Sequence, residues 1–546
     1  MTQPLLIKDI LAKPLLVAPH AEIVSAGHGR FSYREFATRI NRLAHALTSI
    51  GIGRGDTVAV LDWDTHRYLE CFFAVPMLGA ILHTVNIRLS PAQILYTINH
   101  AKDDVIIVHA DFWDLLVGIA PQIERDVRFI LVQDGASAAS LETGPDVDGQ
   151  NIVGVYEEML AAAAPHFDFA TFSEQTVATT FYTTGTTGDP KGVSYTHRQL
   201  VLHTLSILAM FGPMAASNRF DQNDVYMPIT PMFHVHAWGF PYAATLLGVK
   251  QVYPGRYDPA HLLQLIDQER ASFSHCVPTI LHMLLQADPA QSIDLSHWKV
   301  VIGGSSLPHG LAASALARGI NVFAAYGLSE TCPLLTVAQI DPDHADDLTA
   351  RCRAGWPAPM VDLRIVDDNM VDVPRDGAST GEIVARAPWL TEGYVGNEQA
   401  SAELWRGGYL HTGDVGRFDD VGRLLITDRI KDVIKSGGEW ISSLTLESLV
   451  SSCDDVAEVA AIAVPDVKWG ERPLLLVVPI NAVASDRLDA AIRQLLEAEI
   501  AAGRLSKLAM PDGIEIVAEI PKTSVGKLDK KAMRQRYAPC NTSRRL

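Results

Sequence analysis

The sequence predicts an α/β protein: a large N-terminal domain of parallel-rich sheets flanked by helices, with a smaller barrel-like β subdomain, followed by a small mobile α+β domain. Three observations predict this class. Apolar strands alternate with amphipathic helices early in the chain, the pattern changes near residue 428, and 546 residues exceed the length of one ordinary domain. We therefore expect residues 1–427 as the large domain, 428–431 as a hinge and 432–546 as the small domain.

The alternation of strands and helices begins at residue 31. Phe36, Ile40, Leu43 and Leu47 recur at helical spacing and predict an amphipathic helix over 31–51. A second helix is predicted over 68–78, and apolar runs predict strands over 58–61, 79–85, 105–108 and 129–132. Because helices separate these strands, the pattern indicates a parallel sheet covered by helices. Residues 134–150 are rich in Gly, Ser, Ala and Asp and are predicted as a loop.

Shorter elements fill the last third of the chain. Before residue 428 we predict strands over 363–366, 381–384 and 422–426. After it we predict a helix over 445–452, strands over 459–464 and 474–478, a helix over 486–502 and a strand over 513–517. The segment between the two groups, 427–432, is polar and charged, which favours a hinge.

The composition limits the classes of partner. A formal net charge of −18 without a block of Lys and Arg argues against binding a nucleic acid backbone. The six cysteines are scattered without metal-ligand spacing, which indicates a reducing compartment. Residues 1–14 lack the basic flank and apolar core of a targeting peptide, and charged residues interrupt each apolar run before a membrane-spanning length. We expect a cytoplasmic protein without an integral membrane segment.

The most informative segment is 182–192, Tyr-Thr-Thr-Gly-Thr-Thr-Gly-Asp-Pro-Lys-Gly. Its glycines let the backbone approach a ligand, while its hydroxyls and Lys191 suit an anion, so we predict a polyphosphate cradle between two strands. The alternative is a flexible linker. The segment is not the common P-loop motif, because Pro190 stands five residues after Gly185, where that motif has its second glycine. The phosphates would therefore be held by a different architecture.

Segment 231–239 carries two histidines and a tryptophan in an apolar stretch and is predicted as a pocket wall. His234, His236 and Trp238 are its distinctive members. A metal site is weakly supported, because His-x-His alone lacks further ligands. A core histidine with a satisfied hydrogen bond is an equal alternative for His236.

Four further clusters carry special residues. Gly303 and Gly304 follow a predicted strand and would let a flat ring lie against the backbone, and Tyr326 could stack on a base. Ser329 and Glu330 could hold phosphate and Mg²⁺. Asp414 lies in a tight turn and either caps it or binds both hydroxyls of a ribose. Segment 521–527 is a glycine-containing loop with two lysines, and its alternative is a solvated tail.

Together these clusters contain every part of a Mg-ATP site, and the set resembles the adenylate-forming superfamily of acyl-CoA synthetases, luciferases and peptide-synthetase adenylation domains. The matching segments are 182–192, 233–234, 326–331, 411–414, 428–431 and 521–527. Within the superfamily, 231–242 and 435–442 are most similar to bacterial medium- and long-chain fatty-acyl-CoA synthetases, a branch whose relatives also take aryl or methylthio-alkanoic acids. Two departures are Ser329, where Thr is more usual, and His236, where many relatives have Asn.

The resemblance implies a two-step reaction with ATP, Mg²⁺ and CoA, in which a carboxylic acid becomes an acyl-adenylate and then an acyl-CoA. Catalytic roles fall to Lys527, Glu330 and His234, with Thr183 and Glu330 at the metal and Lys431 as the hinge residue. The implied ATP and AMP contacts are Thr183, Thr184, Gly185, Thr186, Thr187, Gly188, Lys191, Gly304, Ser305, Ala325, Tyr326, Gly327, Ser329, Asp414, Ile426 and Arg429. The implied CoA path is Lys435, Ser436, Gly437, Gly438, Glu439 and Trp440. The implied acyl pocket is His234, His236, Trp238, Gly303, Pro333 and Leu334.

Other readings of the motifs remain open. A peptide-synthetase domain would carry Asp where this chain has His234, which disfavours an amino acid substrate. A luciferase-like or carrier-loading enzyme shares the first half-reaction, and a catalytically silent nucleotide-binding protein is an alternative of another class. The acyl group is not fixed, since Trp238 could close a short pocket or gate a long tunnel. Homologues of this branch imply a homodimer through the large domain.

Overall fold

The structure is a computed structural model that describes residues 3–134, 151–183, 189–215, 218–341, 347–453, 455–480, 485–523 and 527–543. Its mixed α/β architecture, with a large N-terminal part and a small C-terminal part, confirms the predicted fold class. None of the helices in these ranges combines the length and the hydropathy needed to cross a membrane.

The first large sheet has seven strands and contains the predicted alternation. Its spatial order is Asn151–Val155, Arg128–Val132, Val105–His109, Thr57–Leu61, Ile81–Thr84, Val177–Thr183 and Lys191–Thr196. All neighbours are parallel except the last two strands, which form an antiparallel pair on either side of segment 184–190. This confirms the prediction that segment 182–192 joins two strands, while Thr184, Gly185, Thr186, Thr187 and Gly188 lie outside the described residues.

The second large sheet has nine strands, most of its central neighbours parallel. Its spatial order is Trp356–Pro357, Leu334–Val337, Asn321–Gly327, Lys299–Ile302, Phe273–Cys276, Val225–Tyr226, Lys250–Tyr253, Glu22–Ser25 and Gly29–Ser32. Because Phe273–Cys276, Lys299–Ile302 and Asn321–Gly327 run parallel, their carboxyl ends share one edge. Ligands of open α/β sheets bind at such edges.

Helices cover and join the two sheets. They are Ile7–Val17, Tyr33–Ser49, His66–Met77, Pro91–Ala101, Trp113–Ile119, Tyr156–Ala162, His197–Phe211, Phe240–Leu247, Pro259–Glu269, Pro278–Ala287, His309–Ala317, Leu348–Cys352 and Glu398–Leu404. One apolar core contains residues of both sheets, among them Val58 and Tyr253, together with Phe36 and Phe72 from the helices. Burial of this continuous core stabilises the two sheets as one body.

The helix predicted over 31–51 begins two residues later than expected. Ser32 Oγ accepts a hydrogen bond from Glu35 N at 3.2 Å, and Glu35 Oε2 accepts one from Ser32 N at 2.7 Å. This reciprocal capping box fixes the helix start at Tyr33. Phe31, which the periodicity assigned to the helix, instead belongs to the edge strand Gly29–Ser32.

A four-stranded antiparallel sheet follows the two large sheets and corresponds to the predicted β subdomain. Its strands are Asp362–Val366, Gly381–Arg386, Leu410–Phe418 and Leu424–Arg429. The last strand continues into the segment predicted as a hinge. Asp428 is buried there and accepts hydrogen bonds from Ser443 N at 2.5 Å and Ser443 Oγ at 3.0 Å. The junction is therefore tied to the C-terminal part through a buried carboxylate, and its role as a hinge stays a prediction.

The small C-terminal part has its own sheet and core. Its sheet contains Glu439–Ile441, Ile434–Ser436, Gly470–Pro479, Val456–Asp466 and Gly513–Ile516, and its helices are Ser443–Val450, Ser485–Ala501 and Lys530–Ser543. The two predicted strands over 459–464 and 474–478 are the centres of a longer hairpin. The last helix was not predicted from the sequence. Its first residue, Lys530, is buried, and its Nζ lies 2.7 Å from Glu447 Oε1.

Candidate active site

A narrow cleft lies at the carboxyl edge of the nine-stranded sheet, where it meets the C-terminal part. Its lining is His234, Val235, Trp238, Gly303, Gly304, Ala325, Tyr326, Gly327, Leu328, Ser329, Pro333, Leu334 and Lys527. Eleven of these residues were predicted from sequence as site residues, and they come from four separate segments. The free space is about 20 Å³, roughly what one water molecule needs. The side chains of Lys527 and Trp238 therefore fill most of the cleft.

Lys527 reaches the cleft from the C-terminal part and lies against Gly304. Gly304 has a φ of +78°, which favours glycine, and a Cβ atom there would lie 3.0 Å from Lys527 Cε, so it would press on the lysine side chain. Burial lowers the pKa of Lys527 to about 8, with a further lowering from Arg429 that Asp414 and Glu330 oppose. The ammonium is thus poorly solvated and lies among charges of both signs, unlike a lysine on a solvated tail.

Asp414 lies at the centre of a buried polar group beside the cleft. Its Oδ2 accepts a hydrogen bond from the Tyr326 hydroxyl at 2.8 Å, and its Oδ1 lies 3.1 Å from Arg429 Nε. Burial raises the pKa of Asp414, and Arg429 acts in the opposite direction. The prediction that Asp414 lies in a tight turn was wrong, because it lies within the strand Leu410–Phe418, where two partners from different strands orient its carboxylate.

Glu330 and Lys191 meet at one aromatic ring: Lys191 begins the strand Lys191–Thr196, and Glu330 lies in the short 3-10 helix Ser329–Thr331. The Tyr394 hydroxyl donates to Glu330 Oε1 at 2.7 Å, and Lys191 Nζ lies 4.5 Å from the centre of the Tyr394 ring. Thr183 pairs with Lys191 across the antiparallel strands, and its hydroxyl donates to the Lys191 carbonyl at 3.4 Å. Thr183 and Lys191 of the predicted phosphate cradle thus contact each other, and Lys191 shares the Tyr394 side chain with the Glu330 carboxylate.

The oxygen atoms of Glu330 and Thr183 suit a Mg²⁺ ion that is bound partly by the protein and partly by a ligand. No group of three or more His, Cys, Asp or Glu side chains in the described ranges could hold a metal by itself. Magnesium typically uses one or two carboxylates together with substrate phosphates, rather than a cage of protein ligands. A single carboxylate at Glu330 and a hydroxyl at Thr183 fit that pattern.

The opposite side of the cleft is built on a left-handed turn. Val235, His236, Ala237 and Trp238 have φ values of 48°, 54°, 47° and 59°, and Gly239 continues at 76°. Non-glycine residues in this region cost roughly 1–2 kcal/mol each, and such strain is concentrated at functional sites. The turn directs the Trp238 ring onto Gly303, where a Cβ atom would lie 2.9 Å from Trp238 Cη2.

His234 precedes the turn and faces the cleft. Burial lowers its pKa to about 3, with smaller contributions from Lys527 and Arg88, so its imidazole is neutral at pH 7. The loop in front of it is held at successive residues: Asp64 Oδ1 accepts from Met232 N at 3.0 Å, and Thr84 Oγ1 donates to the Phe233 carbonyl at 3.1 Å. The position of His234 is therefore fixed by buried polar contacts.

The structure places His236 away from the lining of the cleft. Its ring lies among Phe72, Phe181 and Tyr242. The Thr179 hydroxyl donates to the Leu82 carbonyl at 2.8 Å, so His236 Nε2 donates to Thr179 Oγ1, also at 2.8 Å. This arrangement matches the second interpretation of His236, a core histidine. The left-handed turn points consecutive side chains to different sides, which takes the His236 ring away from the cleft.

Other predicted site residues lie outside the cleft lining. Ser305 is exposed on the rim, and Ile426 lies half-buried in the strand Leu424–Arg429. Lys431 follows that strand, and burial together with Arg429 lowers its pKa. The predicted CoA path, 435–440, forms a hairpin whose turn is Gly437 and Gly438, with Trp440 58% exposed and the Lys435 ammonium 5.4 Å from its ring centre.

Sequence reasoning missed Tyr394, which contacts two of the predicted residues. It lies in the irregular segment Gly393-Tyr394-Val395-Gly396 between two strands of the β subdomain. An aromatic residue between glycines in a loop was the available signal, but it is too common to single out one residue.

Comparison with known proteins identifies the family. The AMP-binding enzyme family matches residues 14–395, and the AMP-binding enzyme C-terminal domain matches residues 445–527. A long-chain-fatty-acid–CoA ligase of Thermus thermophilus is 39% identical over 98% of this chain and 96% of its own length. A 3-methylmercaptopropionyl-CoA ligase of Ruegeria pomeroyi is 36% identical, with 98% of each chain covered.

A solved structure agrees with the fold. The crystal structure of an anthranilate CoA ligase in complex with anthranoyl-AMP superposes with a TM-score of 0.86 at 20% identity, covering 99% of each chain. Both parts of the chain thus match, in sequence and in architecture, enzymes of one kind. The chain belongs to the AMP-binding enzyme family, within the adenylate-forming superfamily that its motifs resemble.

Proposed function

We propose that this enzyme is an AMP-forming acyl-CoA ligase, which joins a carboxylic acid to CoA with cleavage of ATP to AMP and pyrophosphate. The observation that carries the proposal is the position of Lys527. Its side chain lies against Gly304 and lines the same cleft as Tyr326, which we assign to the nucleotide, and as His234 and Trp238, which we assign to the acyl group. A cation at that boundary is suited to hold a carboxylate beside the α-phosphate of ATP.

In the first step the substrate carboxylate oxygen attacks the α-phosphorus, and pyrophosphate leaves. The two anions repel each other, so the protein must neutralise them where they meet. Lys527 supplies that charge in a poorly solvated position, where it acts more strongly than it would in water. Asp414, oriented by Tyr326 and Arg429, offers its remaining lone pairs to the ribose hydroxyls. The adenine lies between Gly304 and Tyr326.

Residues beside the antiparallel pair of strands hold the triphosphate. Lys191 and the segment Thr183–Gly188 bind the β- and γ-phosphates, and Glu330 with Thr183 would hold Mg²⁺. When bound, the ion would offset phosphate charge and orient the leaving group. Tyr394 contacts both Glu330 and Lys191, and Lys191 contacts Thr183, which supports a common task for these residues.

In the second step the CoA thiol attacks the acyl carbon and AMP leaves. Lys527 fills the space beside Gly304 that the thiol would need. We propose that the C-terminal part rotates about the junction at Lys431, which removes Lys527 and brings the hairpin 435–440 to the cleft. His234 is held by its loop contacts and lines the cleft, and we assign it to the path of the CoA thiol in the second step.

The proposed acid is a medium-chain fatty acid or a related aryl-alkanoic or methylthio-alkanoic acid. The name of the similar ligase from Ruegeria supports the methylthio-alkanoic acid, whereas the similar ligase from Thermus is named for long-chain fatty acids. Because Trp238 lies on Gly303 and little free space remains, an acyl chain has to displace this indole or stop in front of it. Graded acids therefore test whether the pocket is short or opens into a tunnel.

The experiment measures pyrophosphate and AMP formation with ATP, Mg²⁺ and CoA across straight-chain, aryl and sulfur-containing acids. We expect AMP and pyrophosphate in equal amounts, and thioester product only with CoA present. Release of ADP and orthophosphate, or adenylate formation without any thioester, would refute the ligase assignment. A cytoplasmic location and a homodimer through the large part stay predictions, which cell fractionation and light scattering test.

A further inference from the structure

A short segment joins the two sides of the phosphate region, and we call residues 391–395 the strap. Thr391 N donates to the Glu330 carbonyl at 3.1 Å, and Val395 N donates to the Gly192 carbonyl at 2.9 Å. Tyr394 also forms an isolated antiparallel bridge with Val193. The strap therefore fixes the main chain at Glu330 relative to the strand that begins at Lys191.

The side chain of Tyr394 repeats this connection between the two charged groups. Its hydroxyl donates to Glu330 Oε1 at 2.7 Å, and the Lys191 ammonium lies 4.5 Å from the ring centre. Burial raises the pKa of Tyr394, and the nearby Glu330 carboxylate raises it further, so the hydroxyl remains a donor at neutral pH.

This arrangement resolves a conflict between the two charges. A carboxylate and an ammonium that pair directly are each withdrawn from a ligand. Among the described residues, Lys191 and Glu330 form no ion pair with each other, and each contacts Tyr394 instead. With Oε1 occupied by the hydroxyl, Oε2 of Glu330 is left for another partner, and the ammonium keeps its N–H donors while it lies on the ring.

We propose that Tyr394 is a positioning residue that keeps Glu330 oriented toward a divalent cation and Lys191 toward phosphate, and prevents the two from neutralising each other. The inference rests on the proposed function, because it takes the ligand to be ATP with Mg²⁺. It assigns the hydroxyl to the cation side of the site and the ring to the phosphate side.

Two variants separate the two tasks. Tyr394→Phe removes the hydroxyl but keeps the ring under Lys191, whereas Tyr394→Leu removes both. Tyr409→Phe is the matched control, because the Tyr409 hydroxyl donates to Asp362 Oδ2 at 2.6 Å on the exposed side of the β subdomain. Calorimetry measures ATP binding to each protein with Mg²⁺ and with EDTA, without acid or CoA, so no turnover is required.

The ratio of the ATP affinity with Mg²⁺ to that with EDTA should be about tenfold smaller in Tyr394→Phe than in the wild type. The reason is that removing a hydrogen-bond partner of a metal-ligating carboxylate typically lowers metal affinity 10–100-fold. The affinity of Tyr394→Phe for ATP in EDTA should equal that of the wild type. Tyr394→Leu should bind ATP more weakly in EDTA as well, and Tyr409→Phe should match the wild type in both conditions. Unchanged Mg²⁺ dependence in Tyr394→Phe would overturn the proposal.

A double-mutant cycle gives a second test that does not depend on one variant's folding. If Tyr394 acts through the carboxylate, adding Tyr394→Phe to Glu330→Gln should not reduce the Mg²⁺-dependent affinity further, and additive losses would contradict the inference. Failure of the proposed ligase function can be told apart from failure of this inference. If the protein is not a ligase, the wild type binds Mg-ATP yet releases no pyrophosphate with any acid. The ATP-binding measurements with Mg²⁺ and with EDTA then still test the role of Tyr394.

Discussion

Replacing Lys527 with alanine should separate the two half-reactions. Its pKa of about 8 leaves roughly 90% of the ammonium charged at pH 7, so the free enzyme already carries the charge that the first step needs. Removing one preorganised charge-stabilising donor typically costs about 100- to 1,000-fold in rate, or about 2.7–4 kcal/mol. We expect a loss of that size in acid-dependent pyrophosphate release by Lys527→Ala.

The second half-reaction provides the internal comparison. Given a synthetic acyl-adenylate and CoA, Lys527→Ala should form thioester within a few-fold of the wild-type rate, since the lysine has to leave the cleft for this step. Lys522→Ala is the control, because Lys522 lies in the same segment but binds Glu458 at the surface, with Nζ 2.7 Å from Oε1. Equal losses in both half-reactions of Lys527→Ala, or an equal defect in Lys522→Ala, would refute the assigned role.

Three further predictions follow from the same cleft. Because the pKa of Lys527 is lowered from 10.5 to about 8, the rate of adenylation should fall as pH rises through about 8. Below that pH the charged lysine lowers the stability of the folded enzyme. Lys527→Met should therefore raise the melting temperature of the ligand-free enzyme at pH 7, and this gain should fade between pH 8 and 10.5. Gly304→Ala should lower adenylation and cost about 1–2 kcal/mol in urea unfolding, since alanine is strained at a φ of +78° and its Cβ would meet Lys527. Trp238→Ala should cost about 3–5 kcal/mol of unfolding free energy and shift pyrophosphate release toward longer acids, because it removes the buried indole that lies on Gly303.

The sequence was sufficient for those parts of the site that depend on residue type at a short spacing. Gly303 and Gly304 after one strand, Tyr326 at the end of the next and the carboxylate of Asp414 could each be selected by local chemistry. The parallel sheet explains why the two glycines and Tyr326 meet, since the carboxyl ends of neighbouring strands share an edge, whereas Asp414 comes from the antiparallel sheet of the β subdomain. Boundaries were less accurate, as the helix start at Tyr33 shows, because a capping box outweighed the apolar period.

The rest of the site depends on contacts that no local pattern records. Four consecutive non-glycine residues from Val235 to Trp238 adopt positive φ, a conformation that residue propensities argue against, so the separation of His236 from the cleft could not be predicted. The role of Tyr394 arises from two partners distant in sequence. The half-buried position of Lys527 arises from packing between the two parts of the chain, so a solvated tail was a reasonable alternative from the sequence alone.

The central claim is that the acid is joined to the α-phosphate of ATP, and an oxygen-transfer experiment tests it most directly. The enzyme is incubated with ¹⁸O-labelled carboxylic acid, ATP, Mg²⁺ and CoA, and the nucleotide and phosphate products are analysed by mass spectrometry. The account predicts one ¹⁸O atom in AMP and none in pyrophosphate, because the attacking carboxylate oxygen stays on the α-phosphorus when the thiol displaces AMP. Label in orthophosphate together with ADP would contradict it.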